Sequence, residues 1–244
     1  MPKAVILAAG RGTRMGDAAG DLPKAMIPLA GKPMLEHILV RLRQAGFSEA
    51  AIVVGYRAAA IESYFAFPPL PLTFFHQTEL TGTATALLLA RSFTGEDPFL
   101  LTFGDILTTV QDYRNMWSRL EAGPDAAAVV VVQHVDDPWQ GAAVYETGGV
   151  LTRIIEKPAQ GTSTTNWTSA GSYVFRPEIF PQLERVPLSP RGEFEVTSAV
   201  AQMIDEGKRL LLYPLQGDWR DVGRPSDLDF AERLVSDPLR NPGD

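Results

Sequence analysis

The fold is decided near the start of the chain, by the stretch AVILAAGRGTRMG at residues 4–16. Residues 4–8 form a short continuous apolar run that leads to a glycine, which is typical of a central parallel strand buried on both faces. The glycines that follow would lie at the carboxyl end of this strand, where open α/β sheets bind their ligands. The stretch therefore predicts a first strand with a binding loop at its end.

Strand-like runs alternate with helical patterns through the rest of the first half. Pro33 opens a segment with apolar residues at helical spacing, and this segment ends at Gly46. The other predicted elements are strands at 51–54, 72–75 and 99–103 and helices around 58–65 and 83–92. Repeated βαβ units of this kind predict an α/β fold built on a doubly wound, Rossmann-like, mostly parallel sheet.

The second half of the chain is richer in predicted strands than the first half. Strand-like runs lie at 127–132, 150–156, 172–175 and 210–215, and helical patterns lie at about 195–206 and 226–235. A chain of this length can bury one α/β core without splitting. We therefore expect residues 1–244 to form a single domain, whose halves meet near residue 125 and whose second half is a smaller, β-rich lid over the substrate.

Composition narrows the class of partner. The 244 residues carry a net charge of −7, and the Lys and Arg residues are scattered, which argues against nucleic-acid binding. The absence of cysteine excludes disulfides and thiolate metal sites and suits the cytoplasm. No apolar run approaches membrane-spanning length, so no membrane association is expected. A small-molecule substrate is the prediction that remains.

Three interpretations compete for the glycine-rich loop. A dinucleotide site needs Gly-x-Gly-x-x-Gly before a helix and an acid after the second strand, but Gly16 comes one residue late and the second strand ends without an acid at residues 54–57. A Walker loop needs Gly-Lys-Ser/Thr, which is absent from this loop. A plain surface turn would not need cations, whereas Arg14 and Lys24 suit a triphosphate. The loop therefore favours phosphate binding.

The residues LAAGRGTRM at 7–15, followed by PKAM at 23–26, resemble the signature of the sugar-1-phosphate nucleotidyltransferase family, and further matches extend to residue 228. This resemblance implies a glycosyltransferase A-like nucleotidyltransferase fold, with a nucleotide-binding half at about 1–125 and a sugar-phosphate-binding half at about 126–244. It also implies two substrates, a nucleoside triphosphate and a sugar 1-phosphate. Because no hexapeptide repeat occurs, no C-terminal acyltransferase domain is expected.

The resemblance assigns roles to the loop. Its backbone would hold the nucleotide, Arg14 would lie over the β and γ phosphates, and Lys24 would steady charge at the reacting phosphate. The nucleotide-binding residues implied in the loop are Leu7, Ala8, Ala9, Gly10, Gly12 and Thr13.

Two aspartates predict a metal site. Asp105 ends the apolar strand at 99–103 and so reaches the same sheet edge as the loop, while Asp221, in a glycine-containing turn, resembles the second metal ligand of the family. Each aspartate alone would more often be a turn former or a helix cap. Two carboxylates beside a phosphate-rich substrate match Mg²⁺, which is the predicted cofactor.

The segment Glu156-Lys157-Pro158 predicts the acceptor site. It follows a strand, and the proline is expected to hold the preceding pair extended, pointing into a cleft. By resemblance, Glu156 bonds sugar hydroxyls and Lys157 grips the sugar phosphate that acts as nucleophile. The other sugar-binding positions implied by the resemblance are Gly141, Ser169 and Gly171. Ser169 stands where N-acetylglucosamine-1-phosphate uridylyltransferases carry Asn, and residues 189–197 resemble a further family segment.

Gln77, with Gly82 and Thr83, resembles the base-reading segment of the uridylyl and thymidylyl members. A glutamine amide can offer both a donor and an acceptor to uracil or thymine, so UTP or dTTP is the expected donor.

Three alternatives stay open: a GTP-using mannose-1-phosphate-type guanylyltransferase, a cytidylyltransferase for a non-sugar alcohol phosphate, and a catalytically inactive regulatory subunit. The last is disfavoured because Lys24, Asp105, Lys157 and Asp221 are all present. The sequence leaves open which sugar is used and whether the protein forms a homo-oligomer.

Overall fold

A computed structural model describes residues 1–18 and 20–236. The side chain of Arg14, a predicted catalytic group, lies outside this description. The strands are β1 Lys3–Ala8, β2 Pro28–Leu29, β3 Lys32–Pro33, β4 Glu49–Val54, β5 Leu72–His76, β6 Phe99–Phe103, β7 Ile106–Leu107, β8 Ala128–His134, β9 Ala142–Thr147, β10 Val150–Glu156, β11 Trp167–Phe175, β12 Leu210–Pro214 and β13 Arg220–Asp221. The α-helices are α1 Met34–Ala45, α2 Ala58–Tyr64, α3 Thr83–Leu89, α4 Arg91–Thr94, α5 Val110–Glu121, α6 Ile179–Leu183, α7 Val196–Asp205 and α8 Leu228–Ser236. In this part of the chain no helix has both the length and the apolar character needed to cross a membrane.

One mixed sheet runs through both halves of the chain, in the order β5-β4-β1-β6-β11-β8-β12-β10-β9. The first half is parallel, with β1 between β4 and β6 and with β5 beside β4. The second half is mixed, since β11 pairs antiparallel with β6 and β8, whereas β12 pairs parallel with β8. The α/β fold is thus confirmed. The parallel character predicted for the whole sheet holds for the first half, and the β-rich half continues that sheet.

The antiparallel pairs in the second half have a local cause. β9 and β10 pair antiparallel across the glycines 148 and 149, both at positive φ, and so short a connection can join only antiparallel strands. No such hairpin was predicted from the sequence, where β9 was not recognised. The other unpredicted elements are the helices α5 and α6 and the two-residue strands β2, β3, β7 and β13, and the helix predicted near 83–92 is two helices, α3 and α4.

Helices cover both faces of the sheet, which explains the unbroken apolar run of β1. Ile6 packs on one face with residues of α1 and α5, such as Leu39 and Met116. Val5 and Leu7 pack on the other face with residues of α3, α6 and α7. Successive side chains of a strand point to opposite faces, so a strand between two helical layers must be apolar at every position. The loop after β1 is therefore held by a fully buried strand.

Candidate active site

A cleft of about 220 Å³ lies at the carboxyl ends of β1 and β6. Many residues predicted to bind substrate or metal line it: Leu7, Ala8, Ala9, Gly10, Lys24, Gln77, Gly82, Thr83 and Asp105. Residues that were not predicted also line it: Ala25, Leu80, Ala86, Phe103, Gly104 and Glu193. The glycine loop, the end of β6 and the segment before α3 thus share one cavity, although they are far apart in sequence.

Neighbouring strand ends hold the start of the glycine loop. The Gly104 amide donates to the Leu7 carbonyl at 2.9 Å, and the Tyr56 amide donates to the Ala9 carbonyl at 3.1 Å. Gly12, at φ +68°, packs against Lys24, since a Cβ there would lie 2.7 Å from the Lys24 Cβ. The absence of a side chain at Gly12 thus leaves room for the Lys24 side chain. Thr13 begins a short 3₁₀ segment and is exposed.

Lys24 lies between the two predicted metal ligands. Its Nζ contacts the Asp105 carboxylate and lies 3.7 Å from Asp221 Oδ1. A two-residue ladder brings Asp221 there, because β13 pairs antiparallel with β7 and the Val222 amide donates to the Asp105 carbonyl at 3.0 Å. The Lys24 side chain is 11% exposed, whereas those of Asp105 and Asp221 are 25% and 48% exposed. The carboxylates therefore converge at a place that solvent and ligand can reach.

This pair of carboxylates fits a magnesium ion. Mg²⁺ is held by one or two protein carboxylates and keeps waters and phosphate oxygens in its remaining positions. In residues 1–18 and 20–236 no group of three or more His, Cys, Asp or Glu side chains suits a metal, so an all-protein cage is excluded there. Two accessible aspartates beside the glycine loop are a donor set of the kind that Mg²⁺ takes.

Gln77 is buried and hydrogen-bonded on the side of the cleft next to α3. Its Nε2 donates to the Gly82 carbonyl at 2.9 Å and to Thr85 Oγ1 at 3.1 Å. Gly82 has φ 134° and ψ 177°, and a Cβ there would lie 2.2 Å from the Phe194 carbonyl oxygen. The Thr83 hydroxyl accepts from the Val196 amide at 3.0 Å. The segment predicted to read the base is thus packed tightly against residues 194–196.

The Glu156-Lys157-Pro158 segment differs from the prediction. Glu156 ends β10, but Lys157 has φ +41°, so the pair is not extended as predicted. The Lys157 amide donates to the Gly141 carbonyl at 2.9 Å, and this bond holds the turn. The positive φ bends the chain directly after the strand, which the rule for residues before proline does not capture. Lys157 is exposed, and its Nζ forms no ion pair with any residue in the described part of the chain.

An ion-pair cluster surrounds Glu156. Arg191 Nη1 lies 3.2 Å from Glu156 Oε1 and 2.9 Å from Glu195 Oε1. Burial, and then the negative charge of Glu156, raise the pKa of Glu195 above its usual value, while Arg191 opposes this shift. Glu193, in the same segment, lines the cleft. The segment 191–195 therefore connects the predicted sugar-binding glutamate to the nucleotide cleft.

The remaining predicted sugar-binding residues lie on neighbouring strands. The Ser169 hydroxyl is hydrogen-bonded to Tyr173 at 2.8 Å, and burial raises the pKa of this tyrosine, which keeps its hydroxyl neutral. Gly171, at φ +73°, lies against Ile106, next to the Asp105 turn. Gly141 faces Thr168, whose Oγ1 would lie 2.5 Å from a Cβ at position 141. These positions extend the site from the Asp105 turn toward β9 and β10.

Several residues that shape the site were not predicted from the sequence. Thr81 and Thr85 contact the Gln77 network, and Arg191 joins Glu156 to Glu193 and Glu195 in one charge cluster. Buried Asp112 accepts from the Tyr213 hydroxyl and the Gln216 and Gly217 amides, which anchors the segment before Asp221. The closely spaced charges of residues 191–195 were a signal for the cluster. No sequence pattern identified the two threonines or Asp112.

Comparison with known proteins identifies the family to which the chain belongs. The family model described as nucleotidyl transferase matches residues 3–237. A relative named UTP–glucose-1-phosphate uridylyltransferase AglF, from Haloferax volcanii, is 34% identical over 239 residues, which cover 96% of this chain and 97% of the relative. A relative named glucose-1-phosphate thymidylyltransferase, from Streptomyces griseus, is 33% identical over 240 residues, which cover 96% of this chain and 66% of the relative.

Solved structures agree with these relatives. A structure described as UTP-bound UGPase from Acinetobacter baumannii superposes with a TM-score of 0.84 at 25% identity and covers 99% of this chain and 96% of its own. The family match covers nearly all of the chain, and the relatives confirm the resemblance carried by residues 7–26. The chain belongs to the nucleotidyl transferase family, as one of its sugar-1-phosphate nucleotidyltransferases.

Proposed function

We propose that this protein transfers a uridylyl or thymidylyl group from UTP or dTTP to a hexose 1-phosphate, giving a nucleotide sugar and pyrophosphate. The observation that carries the proposal is the contact of Lys24 with both Asp105 and Asp221 beside the glycine loop. The names of the relatives, which specify glucose 1-phosphate with UTP or thymidylyl transfer, support the same substrates.

The reaction is a direct displacement. A phosphate oxygen of the sugar 1-phosphate attacks the α-phosphorus of the triphosphate, the bond from this phosphorus to the bridging oxygen breaks, and pyrophosphate leaves with that oxygen. No enzyme nucleophile is required, so catalysis consists of positioning and charge stabilisation. Lys24 lies where it can contact the reacting phosphate from the cleft floor, and Arg14 is assigned to the leaving phosphates by resemblance.

Asp105 and Asp221 would hold Mg²⁺. When bound, the ion neutralises charge on phosphate oxygens. For its part, the chain places Asp221 in β13 and Asp105 directly before the partner strand β7, and both carboxylates lie beside the Lys24 ammonium. Lys24 then has a second role, because its ammonium compensates the two carboxylates in the free enzyme.

The acceptor would bind between β9, β10 and β11. Lys157 is an exposed cation with no described ion-pair partner, which suits a phosphate that must approach a second anion. Glu156 is directed by Arg191 and has one carboxylate edge for sugar hydroxyls. The backbone at Gly141 and Gly171 and the Ser169 hydroxyl complete the proposed sugar contacts.

The test is a matrix of five NTPs against glucose, galactose, mannose and N-acetylglucosamine 1-phosphates and a non-sugar alcohol phosphate, read by pyrophosphate release and by product mass. We expect the fastest turnover with UTP or dTTP and a hexose 1-phosphate, and a turnover lower by roughly two to four orders of magnitude in the Asp105→Asn variant. Activity only with CTP and a non-sugar alcohol phosphate would identify the cytidylyltransferase instead. No turnover with any pair would favour the regulatory subunit, and GTP as the best donor would favour the guanylyltransferase.

A further inference from the structure

The Gln77 amide has a defined direction. Both of its N–H groups are used inside the protein, one by the Gly82 carbonyl and one by Thr85 Oγ1. The Thr85 hydroxyl in turn donates to the Gly82 carbonyl at 2.9 Å and is 2.9 Å from Thr81 Oγ1, from which it can accept. A reversed amide would place Oε1 against the Gly82 carbonyl, so that two acceptors would face each other. The network therefore selects one orientation.

This orientation leaves a specific pair of groups for a ligand. Gln77 lines the cleft, and its Oε1 accepts from no residue in the described part of the chain. The Gly82 amide, which also lines the cleft, donates to no carbonyl or side chain in the same described part. One acceptor and one donor thus stand together at the end of the cleft. Sequence reasoning expected Gln77 itself to supply both, and the contacts show that its donors are occupied.

We propose that Thr85, supported by Thr81, is a positioning residue that makes Gln77 present only its carbonyl oxygen to the nucleotide base. The inference rests on the proposed function, since it assumes that this end of the cleft receives the base. The pair selects a ring N–H next to a carbonyl, as in uracil and thymine, and also in guanine. Cytosine has an unprotonated N3 and an amino group at these positions, so its N3 would face Oε1 without a proton between them.

Cytosine is the informative competitor because its ring has the size of uracil. The ratio of kcat/KM for UTP to that for CTP is the quantity to measure, with one sugar 1-phosphate at a fixed concentration. A loss of folded enzyme cancels in this ratio, so a merely structural role of Thr85 would not change it.

The variants are Thr85→Val, which removes the hydroxyl and keeps the shape, and Thr85→Ser, which keeps the hydroxyl. Thr94→Val is the matched control, because Thr94 Oγ1 also bonds the carbonyl three residues before it, at the end of α4. We expect Thr85→Val to lower the ratio by roughly fivefold to tenfold, the scale of one neutral hydrogen bond. Thr85→Ser and Thr94→Val should stay within about twofold of the wild type on the same scale.

Thr81→Val provides a second variant that removes the support behind Thr85, and a smaller drop in the same direction is expected. An unchanged ratio in both valine variants, with a collapsed ratio in Gln77→Ala, would overturn the role of Thr85 and leave base reading by Gln77 intact. A serine variant that behaves like the valine variant would also overturn it, because the hydroxyl would then be irrelevant. A wild-type enzyme that prefers GTP over UTP would contradict the proposed donor, yet the same variants would still test the network against CTP.

Discussion

The proposed donor side of the site (residues 77–85) and the proposed acceptor side (residues 141, 156–157 and 191–195) are held by different forces. On the donor side, neutral groups bond to each other and to backbone, and Gly82 packs against the Phe194 backbone. On the acceptor side, Glu156 is held by Arg191, which is itself 37% exposed. The first region is thus tightly packed and uncharged, and the second is ionic and partly exposed to solvent.

This difference has a consequence for selectivity. Buried neutral hydrogen bonds have fixed directions, and a ligand that mismatches them leaves groups unpaired, which costs about 1–3 kcal/mol each. Ion pairs with solvent access are screened by salt and contribute less than about 1 kcal/mol. We therefore expect recognition of the base to be sharp, and recognition of the sugar to be weaker and sensitive to ionic strength.

The largest effect is expected where the two sides meet. Asp105→Asn and Asp221→Asn should each lower kcat by roughly two to four orders of magnitude, the scale of losing a charge-stabilising element. Because both side chains are partly exposed, the thermal transition should change little. Asp97→Asn, which removes an exposed carboxylate paired with Lys3, is the matched control. Wild-type turnover of either variant at saturating Mg²⁺ would refute the metal assignment.

The glycines of the two sides offer a direct test of their packing. At Gly82 the backbone lies in a region open essentially to glycine alone, and a Cβ would meet backbone atoms of Phe194, so Gly82→Ala should lower the free energy of unfolding by roughly 2–4 kcal/mol. At Gly141, φ is −118° and the one close contact of a Cβ would be Thr168 Oγ1, a side-chain atom that can move by giving up its 3.3 Å hydrogen bond to the Ala142 carbonyl. Gly141→Ala should therefore cost about 1 kcal/mol. Urea unfolding measures both, and equal losses would contradict the contrast.

Sequence reasoning succeeded where one local segment determines the outcome. The run at residues 4–8 is apolar because helices cover both sheet faces, and Asp105 follows directly from the end of β6. The parallel first half was predictable because each strand is followed by an amphipathic helix. On the donor side, the positions of Gln77, Gly82 and Thr83 in the cleft agree with their predicted roles, although those roles await experiment.

The parts that were missed depend on contacts between distant segments. Arg191 reaches Glu156 across 35 residues of sequence, and the ladder of β7 with β13 is only two residues long, too short to leave a periodic pattern. Thr85 looks like any helical threonine until the Gly82 carbonyl is placed beside it. Lys157 was expected to be extended, but a bond to Gly141 directs the turn. Such features require the tertiary structure because no local propensity encodes them.

On the acceptor side, Lys157→Ala should raise the KM for the sugar 1-phosphate by roughly tenfold to hundredfold, the scale of a charged hydrogen bond. The KM for the NTP should stay within about twofold, because the ammonium meets only the acceptor phosphate in the ground state. Lys208→Ala, an exposed lysine after α7, controls for the loss of one surface charge. A shift in the NTP constant instead would move Lys157 to the donor side.

The smallest effect is expected for the Arg191→Gln variant, which tests most directly whether the two sides act independently. Arg191→Gln removes the cation between Glu156 and Glu195, so the KM for the sugar 1-phosphate should rise by roughly threefold to tenfold, with less change at high salt. The ratio of rates with UTP and CTP should not change, because the Gln77 network is uncharged. A loss of base selectivity in this variant would mean that the two sides are coupled.

The thermal stability of the Arg191→Gln variant is expected to depend on pH. Burial and Glu156 raise the pKa of Glu195 in the folded protein, whereas Arg191 lowers it, so Arg191→Gln should raise this pKa further. A carboxyl with a raised pKa binds more protons in the folded state than in the unfolded state. Its contribution to the free energy of unfolding is therefore fully present below the usual glutamate pKa. That contribution is lost as the pH rises through the pKa of the folded protein. The difference in Tm between the wild type and Arg191→Gln should therefore be small near pH 4 and grow toward pH 7. Adding Glu195→Gln to the variant should reduce this growth, because the most buried of the three carboxyls beside Arg191 is then absent and only the more exposed Glu156 and Glu193 remain. A Tm difference that is constant with pH, or that shrinks as the pH rises, would show that Arg191 does not compensate the buried carboxylate.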